Sequence, residues 1–563
     1  MSARLRASSL PRLLTILVAA AFMLRLAGFG LEWLPRAGVL AATLLVLHVA
    51  GVVREPGRLG RWRAFVAGNW FALGVAVLLL LALFVRVPHL TSDLGRVPLD
   101  IDEHRLGANV QLYFVTGALG HETVEHYPGV AFWLILASAF ASYMRLLAGG
   151  EVIPPSQLPV EFFVAAARLA AVLAGTATVA FTALAGRRLG GPRTGLLAAF
   201  VVAIVPLAVE TTAVARNDAA MVLAVVATVW ASLVCATDRR RSWAIAAGAL
   251  AGIATAIKYS SLFAIAPVLI ATASVGTRRE RLERSAWALA GFVAAIAITN
   301  HFVWWDFPNF IRQLAGQVAI TNRAHWAASD NPAAFYVMIL DRFGPGRVLM
   351  AIAAGLAVYG LSTRRLSLWI FLSFPVLYLW FMTGRPSQFP RWVYPLVPFV
   401  AIAASLVLTG LVPRMRQWAM GRSRHAGIWY RAAAAVIMVV ALLQPAWAGA
   451  VSLSRRLHQP THALAEAWIR EHAAPGDVVL LGVQWLDLRG TGLVARRVED
   501  LGVALDGGMA QLAGCKWVVV PEPYFGHATL RRLGFVQRFH AEQGFGGRVG
   551  YDFEIYAVPQ VPR

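Results

Sequence analysis

The chain has 563 residues, of which 58% are hydrophobic and only 14% are charged. Soluble domains carry about 25% charged residues, so this composition excludes an ordinary soluble protein and indicates an integral membrane protein. The formal net charge of +22 does not indicate a nucleic-acid partner, because the arginines are concentrated in short segments between apolar runs, where they orient membrane helices.

Apolar runs of about 17–25 residues are candidates for membrane spans. The chain has thirteen, near residues 11–30, 37–53, 65–87, 163–186, 194–213, 219–236, 243–257, 259–276, 286–304, 345–362, 366–382, 393–412 and 431–451. The first run follows Arg4, Arg6 and Arg12 and is not followed by a clear small-residue cleavage site. This pattern favours a retained helix over a removed signal peptide.

The basic loops predict the orientation of these spans. Arginines precede the third run and follow the fourth, sixth, eighth, tenth and twelfth, so these loops share one side if the N-terminus is cytoplasmic. The loop after run 65–87 and the C-terminal segment then face the exterior. Residues 129–148 would break the alternation as a span, so we expect a helix that lies in or dips into the outer interface. The predicted location is the bacterial inner membrane.

The composition changes from about residue 460. Thr461 is a suitable N-cap for a helix through His472, which Pro475-Gly476 would end. Three short apolar runs predict buried strands; they are residues 478–483, 517–521 and 553–558. This alternation of helix and strand predicts a small α/β domain outside the membrane.

Three carboxylates, Asp100, Asp102 and Glu103, follow the run 65–87. Carboxylates are costly at a bilayer surface unless they have a function, so they predict an active site at the membrane–water interface. The alternative is a solvated loop with a helix-capping role. A second stretch contains Glu125 and His126. Carboxylates and histidines can hold a divalent cation, but the spacing here matches no strict ligand motif, so metal use stays open.

Several short motifs follow one another between residues 65 and 400. They are Asp102-Glu103, residues 125–133, Arg168, Arg187-Arg188-Leu189-Gly190, the stretch from Glu210 to Asp218, residues 252–259, Arg385-Pro386 and Arg391-Trp392-Val393-Tyr394-Pro395. This set resembles the GT-C membrane glycosyltransferases that use polyprenyl-phosphate sugars. That branch includes protein O-mannosyltransferases, aminoarabinose transferases and RgtA/B/C/D-like enzymes.

The resemblance implies an all-α polytopic membrane protein with interfacial helices and a small extracytoplasmic α/β domain. Two additional transmembrane helices would occupy residues 1–64. The GT-C-like catalytic domain would extend over residues 65–455, and the C-terminal domain over residues 456–563.

The resemblance also implies the reaction, in which a monosaccharide moves from a polyprenyl-phosphate donor to an extracytoplasmic glycan, lipid or protein. A carboxylate opposite the leaving group gives a single displacement with inversion. Asp102 is the expected base, Glu103 would orient it, and Asp100 is an alternative. Asp218 would be a second acid near the donor, although an acid in the first turn of a helix also complements the helix dipole. A bound metal would use Asp102, Asp218, Glu125 and His126.

Cations near the outer ends of the spans are candidates to bind the donor phosphate. They are Lys258, Arg385, Arg391 and Arg216. Each has a structural alternative: Lys258 could extend to the interface, Arg385 and Arg391 could be surface residues, and Arg216 could pair with Asp218.

Two other functions compete with the enzyme. A transporter or lipid flippase would more often show inverted repeats and polar residues at the bilayer midplane, whereas the acids here gather at one face. A non-catalytic scaffold for the C-terminal domain would leave the ordered acidic and basic motifs unexplained.

Overall fold

A computed structural model describes residues 58–89, 157, 160–274, 276–300, 304, 307–322, 330–363, 365–420, 426–457, 461–482, 486, 488, 490–498, 501–521, 527–539 and 553–559. The chain divides into two units. The first consists of Met1–Gly74 and Ser138–Gln157, and the second of Val75–Ala137 and Leu158–Arg563. Of the first unit, the structure describes residues 58–74 and 157.

The membrane part of the described residues is helical. Its helices are α1 (Arg58–Arg86), α2 (Val160–Gly190), α3 (Pro192–Ile204), α4 (Pro206–Thr211), α5 (Asp218–Thr237), α6 (Arg241–Ile257), α7 (Ile265–Ala273), α8 (Arg278–Thr299), α9 (Phe307–Thr321), α10 (Pro332–Arg342), α11 (Arg347–Thr363), α12 (Leu366–Thr383), α13 (Val397–Met420) and α14 (Ala426–Leu457). Short 3₁₀ segments cover Val87–His89, Tyr259–Ala264 and Pro390–Leu396.

Among the described residues, seven helices are long and apolar enough to cross a membrane: Ala67–Arg86, Val160–Gly190, Asp218–Thr237, Arg278–Thr299, Leu366–Thr383, Pro390–Leu411 and Ala432–Ser454. Four shorter apolar helical segments are Pro192–Ile204, Arg241–Ile257, Tyr259–Ala273 and Arg347–Thr363. These segments coincide with the eleven predicted runs from 65–87 onwards. The chain is therefore a polytopic integral membrane protein. The runs 11–30 and 37–53 and the segment 129–148 lie outside the described residues.

The run 194–213, expected as one span, forms two helices. Val205 is extended, with φ −61° and ψ 125°, and separates α3 from α4. Pro206 causes this break, because proline has no N–H for the helical ladder and its ring crowds the preceding turn. The break leaves backbone carbonyls of α3 without their usual helical donors.

Glycines allow α6 and α8 to pack with their backbones in close contact. A Cβ atom on Gly248 would lie 1.9 Å from the carbonyl oxygen of Ala288, and one on Gly252 would lie 2.3 Å from that of Phe292. Small residues at helix interfaces permit this approach within a membrane. The packing fixes the position of α6 and therefore of the residue that follows its last turn, Lys258.

The described residues of the C-terminal part form one mixed sheet and three α-helices. The strands are β1 (Val478–Gly482), β2 (Val494–Val498), β3 (Trp517–Pro521), β4 (Gly534–Phe539) and β5 (Phe553–Ala557), and the helices are α15 (Thr461–His472), α16 (Leu501–Asp506) and α17 (Gly508–Gln511). The strand order is β2-β1-β3-β5-β4. β1 pairs parallel with β2 and β3, and β5 pairs antiparallel with β3 and β4.

Alternating residues of the central strands form two apolar layers. Leu480 and Val518 face a layer that includes Leu505 of α16, whereas Leu481 faces the layer that includes Ile469 of α15. This burial of both sheet faces explains why the central strands are continuous apolar runs. The predicted helix and three strands are confirmed, and the structure adds β2 and β4 at the sheet edges.

Candidate active site

Asp218 lies at the centre of the candidate site. It is the first residue of α5 and is only 1% exposed. Lys258 Nζ is 2.6 Å from its Oδ1 atom, and Arg391 Nε is 3.9 Å from its Oδ2 atom. A buried carboxylate is tolerated when it is paired and hydrogen-bonded in this way. The acid and two of the cations selected from the sequence therefore lie together.

The backbone around Lys258 holds its side chain against Asp218. Lys258 is extended, with φ −155° and ψ 118°, where α6 gives way to the 3₁₀ segment Tyr259–Ala264. The hydroxyl of Ser261 donates to the Lys258 carbonyl over 2.7 Å. The amide of Asn217 donates to the Ile257 carbonyl over 3.2 Å. These bonds join the end of α6 to the start of α5 and preserve the ion pair.

Arg391 reaches the site from a third part of the chain, the 3₁₀ segment Pro390–Leu396. Its guanidinium carbon lies 4.6 Å from the centre of the Phe389 ring. The hydroxyl of Tyr378 on α12 donates to the Trp392 carbonyl over 2.9 Å and anchors this segment. The Arg391 side chain is 24% exposed, so the cluster is accessible from its side.

Arg216 adds a third cation next to Asp218. Burial is the main cause that lowers the pKa of Arg216 to about 9, and repulsion from Arg391 lowers it further, whereas attraction to Asp218 raises it. Arg216 therefore remains charged at neutral pH. Three cations, Lys258, Arg391 and Arg216, thus lie close to the Asp218 carboxylate.

The sequence did not identify Arg86, which lies in the same region. This last residue of α1 has no exposed surface. Its Nε donates to the hydroxyl of Thr212 over 2.9 Å, and its Nη atoms donate to the carbonyls of Ala203 and Val202 over 3.0 and 3.2 Å. The only sequence signal is an arginine at the end of an apolar run.

Arg385 contacts other residues. Its Nη1 donates to Oδ1 of Asn322 over 2.6 Å, and its guanidinium carbon lies 4.5 Å from the centre of the Phe381 ring. Arg168 of α2 is fully buried. The predicted residues Asp100, Asp102, Glu103, Glu125 and His126 lie outside the described residues.

The described residues around Asp218 do not fit a divalent cation. A metal ion there would be repelled by Lys258, Arg216 and Arg391, and it would have to displace the ammonium group already 2.6 Å from Asp218 Oδ1. Within the residues the structure describes, no group of three or more His, Cys, Asp or Glu residues is arranged to hold a metal. The cluster instead suits an anion.

Comparison with known proteins supports the resemblance seen in the sequence. Residues 161–305 match the family model described as dolichyl-phosphate-mannose-protein mannosyltransferase. This matched segment contains Arg216, Asp218 and Lys258. No curated protein matches the chain in sequence.

Solved structures show a similar fold. The oligosaccharyltransferase of Archaeoglobus fulgidus, in its apo form, aligns with a TM-score of 0.50 and 13% identity over 80% of this chain and 70% of that one. The A. fulgidus oligosaccharyltransferase AglB, in complex with an inhibitory peptide and a dolichol-phosphate, aligns with a TM-score of 0.50 and 12% identity over 86% and 74%. ArnT from Cupriavidus metallidurans aligns with a TM-score of 0.46 and 16% identity over 88% and 100%.

The chain therefore shares the fold of these oligosaccharyltransferases. Together with the match of residues 161–305, this confirms the predicted resemblance to the GT-C glycosyltransferases.

Proposed function

We propose that the protein transfers a monosaccharide from a polyprenyl-phosphate-linked donor to an extracytoplasmic acceptor. The observation that carries the proposal is the clustering of three cations, Lys258, Arg216 and Arg391, around buried Asp218. Support also comes from the match of residues 161–305 to a family that uses dolichyl-phosphate mannose. A relative with the same fold binds dolichol-phosphate.

The charge of the cluster suits the leaving group of this reaction. A polyprenyl-phosphate sugar is a phosphodiester with one negative charge, and the polyprenyl phosphate that leaves carries up to two. Cations placed beside the phosphate therefore bind the transition state more strongly than the ground state, which is the condition for catalysis. Asp218 holds Lys258 and Arg391 in place for this role and keeps part of their charge balanced before the donor binds.

The remaining chemistry is assigned to Asp102, whose motif resembles the Asp-Glu of the GT-C family. Its carboxylate takes the proton of an acceptor hydroxyl while that oxygen bonds to the anomeric carbon. The bond from this carbon to the phosphate oxygen breaks at the same time, and its electron pair leaves with polyprenyl phosphate. This single displacement inverts the anomeric configuration. The predicted orientation puts the reaction at the outer face of the membrane.

The test compares Lys258→Met with Lys516→Met in membranes supplied with a panel of labelled polyprenyl-phosphate sugars. Lys516 is the chain's only other lysine, and it pairs with Asp477 over 2.8 Å in the C-terminal domain. Loss of one preorganised transition-state donor costs about 10²–10³ in kcat, so we expect a loss of this size for Lys258→Met. Lys516→Met should keep wild-type activity, and Asp102→Asn should lose at least about 10² as a general base.

Three outcomes would contradict the proposal. If no sugar of the panel is transferred by the wild-type protein, the enzyme class is wrong. Movement of the intact lipid-linked sugar across a liposome membrane, without transfer, would instead indicate a flippase. Normal transfer by a folded Lys258→Met protein would remove Lys258 from donor binding.

A further inference from the structure

Arg86 is a fully buried cation whose hydrogen-bond acceptors include backbone carbonyls. A buried guanidinium in an apolar environment is very costly unless its N–H groups are satisfied. Besides the bonds already described, its Nη1 donates to the Ala82 carbonyl of its own helix over 3.1 Å. Phe84, two residues earlier, is 65% exposed. The outer end of α1 is thus fixed by the Arg86 side chain while neighbouring positions face outward.

The acceptors of Arg86 on α3 are those released by the break at Pro206. The Val202 carbonyl would normally accept from the residue four positions later, but that residue is proline and has no N–H. The Ala203 carbonyl would accept from Leu207, whose N–H donates instead to the Phe343 carbonyl over 2.8 Å. Arg86 supplies the two missing donors. The broken helix and the buried arginine are therefore parts of one arrangement.

The third partner, Thr212, connects Arg86 to the segment that carries the candidate site. Thr212 follows α4 and donates from its hydroxyl to the Ala208 carbonyl over 2.7 Å. Its side chain packs on Gly175 of α2, where a Cβ atom would lie 2.5 Å from Thr212 Cγ2. Six residues after Thr212, the chain reaches Asp218. Movement of Thr212 would therefore shift the start of α5.

A second neighbour of Arg86 is Tyr394. This tyrosine is fully buried and lies within electrostatic range of both Arg86 and Asp218. It belongs to the same 3₁₀ segment, Pro390–Leu396, as Arg391. Arg86 is thus hydrogen-bonded to the segment before Asp218 and lies near the segment that presents Arg391.

We propose that Arg86 is a positioning residue for the transfer reaction. It fixes the outer end of α1, and hence the start of the chain segment that leads to Asp102, relative to the segment that carries Asp218. The inference rests on the proposed function, because it assigns to Arg86 the alignment of the base with the donor. Arginine suits the role because its planar fork reaches acceptors on several elements at once, which a lysine ammonium cannot do.

The test measures kcat and the donor KM for Arg86→Met, Arg86→Lys and Thr212→Val in the full-length protein, at a temperature at which each variant is folded. A misplacement of about 1 Å can cost about 10²-fold in rate, so we expect a loss of this order in kcat for Arg86→Met. The donor KM should stay close to wild type, because Lys258, Arg216 and Arg391 remain. Arg86→Lys should recover little of the loss, and Thr212→Val should reproduce part of it.

Arg284→Met is the matched control. Arg284 is also a buried arginine, and its Nη2 donates to the Cys235 carbonyl. Cys235 lies near the end of α5 opposite to Asp218. We expect Arg284→Met to lose stability as Arg86→Met does but to keep kcat. Wild-type kcat in folded Arg86→Met, or an equal kcat loss in Arg284→Met, would overturn the inference.

Hydrogen–deuterium exchange gives a readout that does not depend on activity. In Arg86→Met, amides of residues 212–217 and of the last turn of α1 should exchange faster than in wild type, whereas Arg284→Met should leave both unchanged. If Arg86→Met shows this faster exchange but the wild-type protein transfers no sugar, the proposed function is refuted and Arg86 is supported as the link between the two segments. Transfer activity with unchanged exchange in Arg86→Met would support the function and refute the link.

Discussion

The ion pair between Asp218 and Lys258 leads to a prediction about stability that depends on neither donor nor acceptor. Lys258→Met removes the ammonium group but leaves the Asp218 carboxylate buried. Asp218→Asn removes the carboxylate but leaves Lys258, Arg216 and Arg391 crowded together. The destabilisations of the two single variants should therefore add up to more than the destabilisation of the double variant.

The distances give the magnitude. At an effective dielectric constant of about 20, the 2.6 Å pair of Lys258 and Asp218 corresponds to ~6 kcal/mol of attraction, and the 3.9 Å pair of Arg391 and Asp218 to ~4 kcal/mol. Lys258→Met thus removes the stronger attraction but leaves the weaker one. It also relieves the cost of burying an ammonium group. Breaking a buried pair from one side typically costs about 3–5 kcal/mol, and we expect Lys258→Met to fall in this range.

A double-mutant cycle in detergent-solubilised protein measures the coupling. Chemical or thermal unfolding, followed by tryptophan fluorescence, gives the stability of wild type, both single variants and Asp218→Asn/Lys258→Met. We expect a coupling of about 2–3 kcal/mol, the upper part of the range for contacting residues. The Lys516→Met and Asp477→Asn cycle serves as the control for a more exposed pair. Additive effects at Asp218 and Lys258, within about 0.5 kcal/mol, would refute the electrostatic reasoning.

Two further predictions concern packing and pH. Gly175→Ala should lower both the melting temperature and transfer activity, because its Cβ atom would meet Thr212 Cγ2 at 2.5 Å. Gly68→Ala, inside α1 with open space around it, should lower neither. Equal melting temperatures for the two variants would contradict this reasoning. In the C-terminal domain, burial raises the pKa of Asp477, but the Lys516 hydrogen bond and a backbone N–H lower it by more. The contribution of Asp477 to stability is therefore present above its unfolded pKa, about 3.9, and is lost as the pH falls through its lower folded pKa. A pH series of unfolding curves measures this loss, and Asp477→Asn should abolish it.

The helices of the membrane part were largely predictable because lipid allows little variation in their pattern. A span needs a continuous apolar run, and every backbone group within it must be satisfied internally. The break of run 194–213 was indicated by Pro206 but could not be distinguished from a tolerated kink without its neighbours. The strands β2 and β4 were missed for a different reason. They are edge strands with mostly exposed residues, including Arg496 and Arg497 in β2, and they lack the apolar run that identifies a buried strand.

The site was predictable to the extent that its residues share one membrane face. Sidedness and the resemblance to the GT-C motifs grouped Asp218, Lys258, Arg391 and Arg216, and the structure brings these four together. Their catalytic roles stay predictions. Arg385 shares the same face but contacts Asn322, since sidedness sets depth in the membrane and not lateral position.

Arg86 could not be found by searching for complementary charges in the sequence, because its acceptors include backbone carbonyls. Any sequence has carbonyl groups, and only the break at Pro206 makes those of Val202 and Ala203 available. A buried arginine at the end of a span is therefore informative only when it is considered together with a helix break elsewhere in the chain. The informative signal is the combination of an arginine at the end of a span with a proline that breaks another helix.

The two helix breaks near the site hold their cations in different ways. At the break between α3 and α4, the guanidinium of Arg86 donates to carbonyls that have lost their usual helical donors, so this cation has a structural role. Where α6 ends, Lys258 is held by the carboxylate of Asp218. Arg391 and Arg216 lie near the same carboxylate and repel each other. We infer that an anion binds favourably at the exposed side of Arg391, because an additional negative charge there offsets the repulsion among these neighbouring cations.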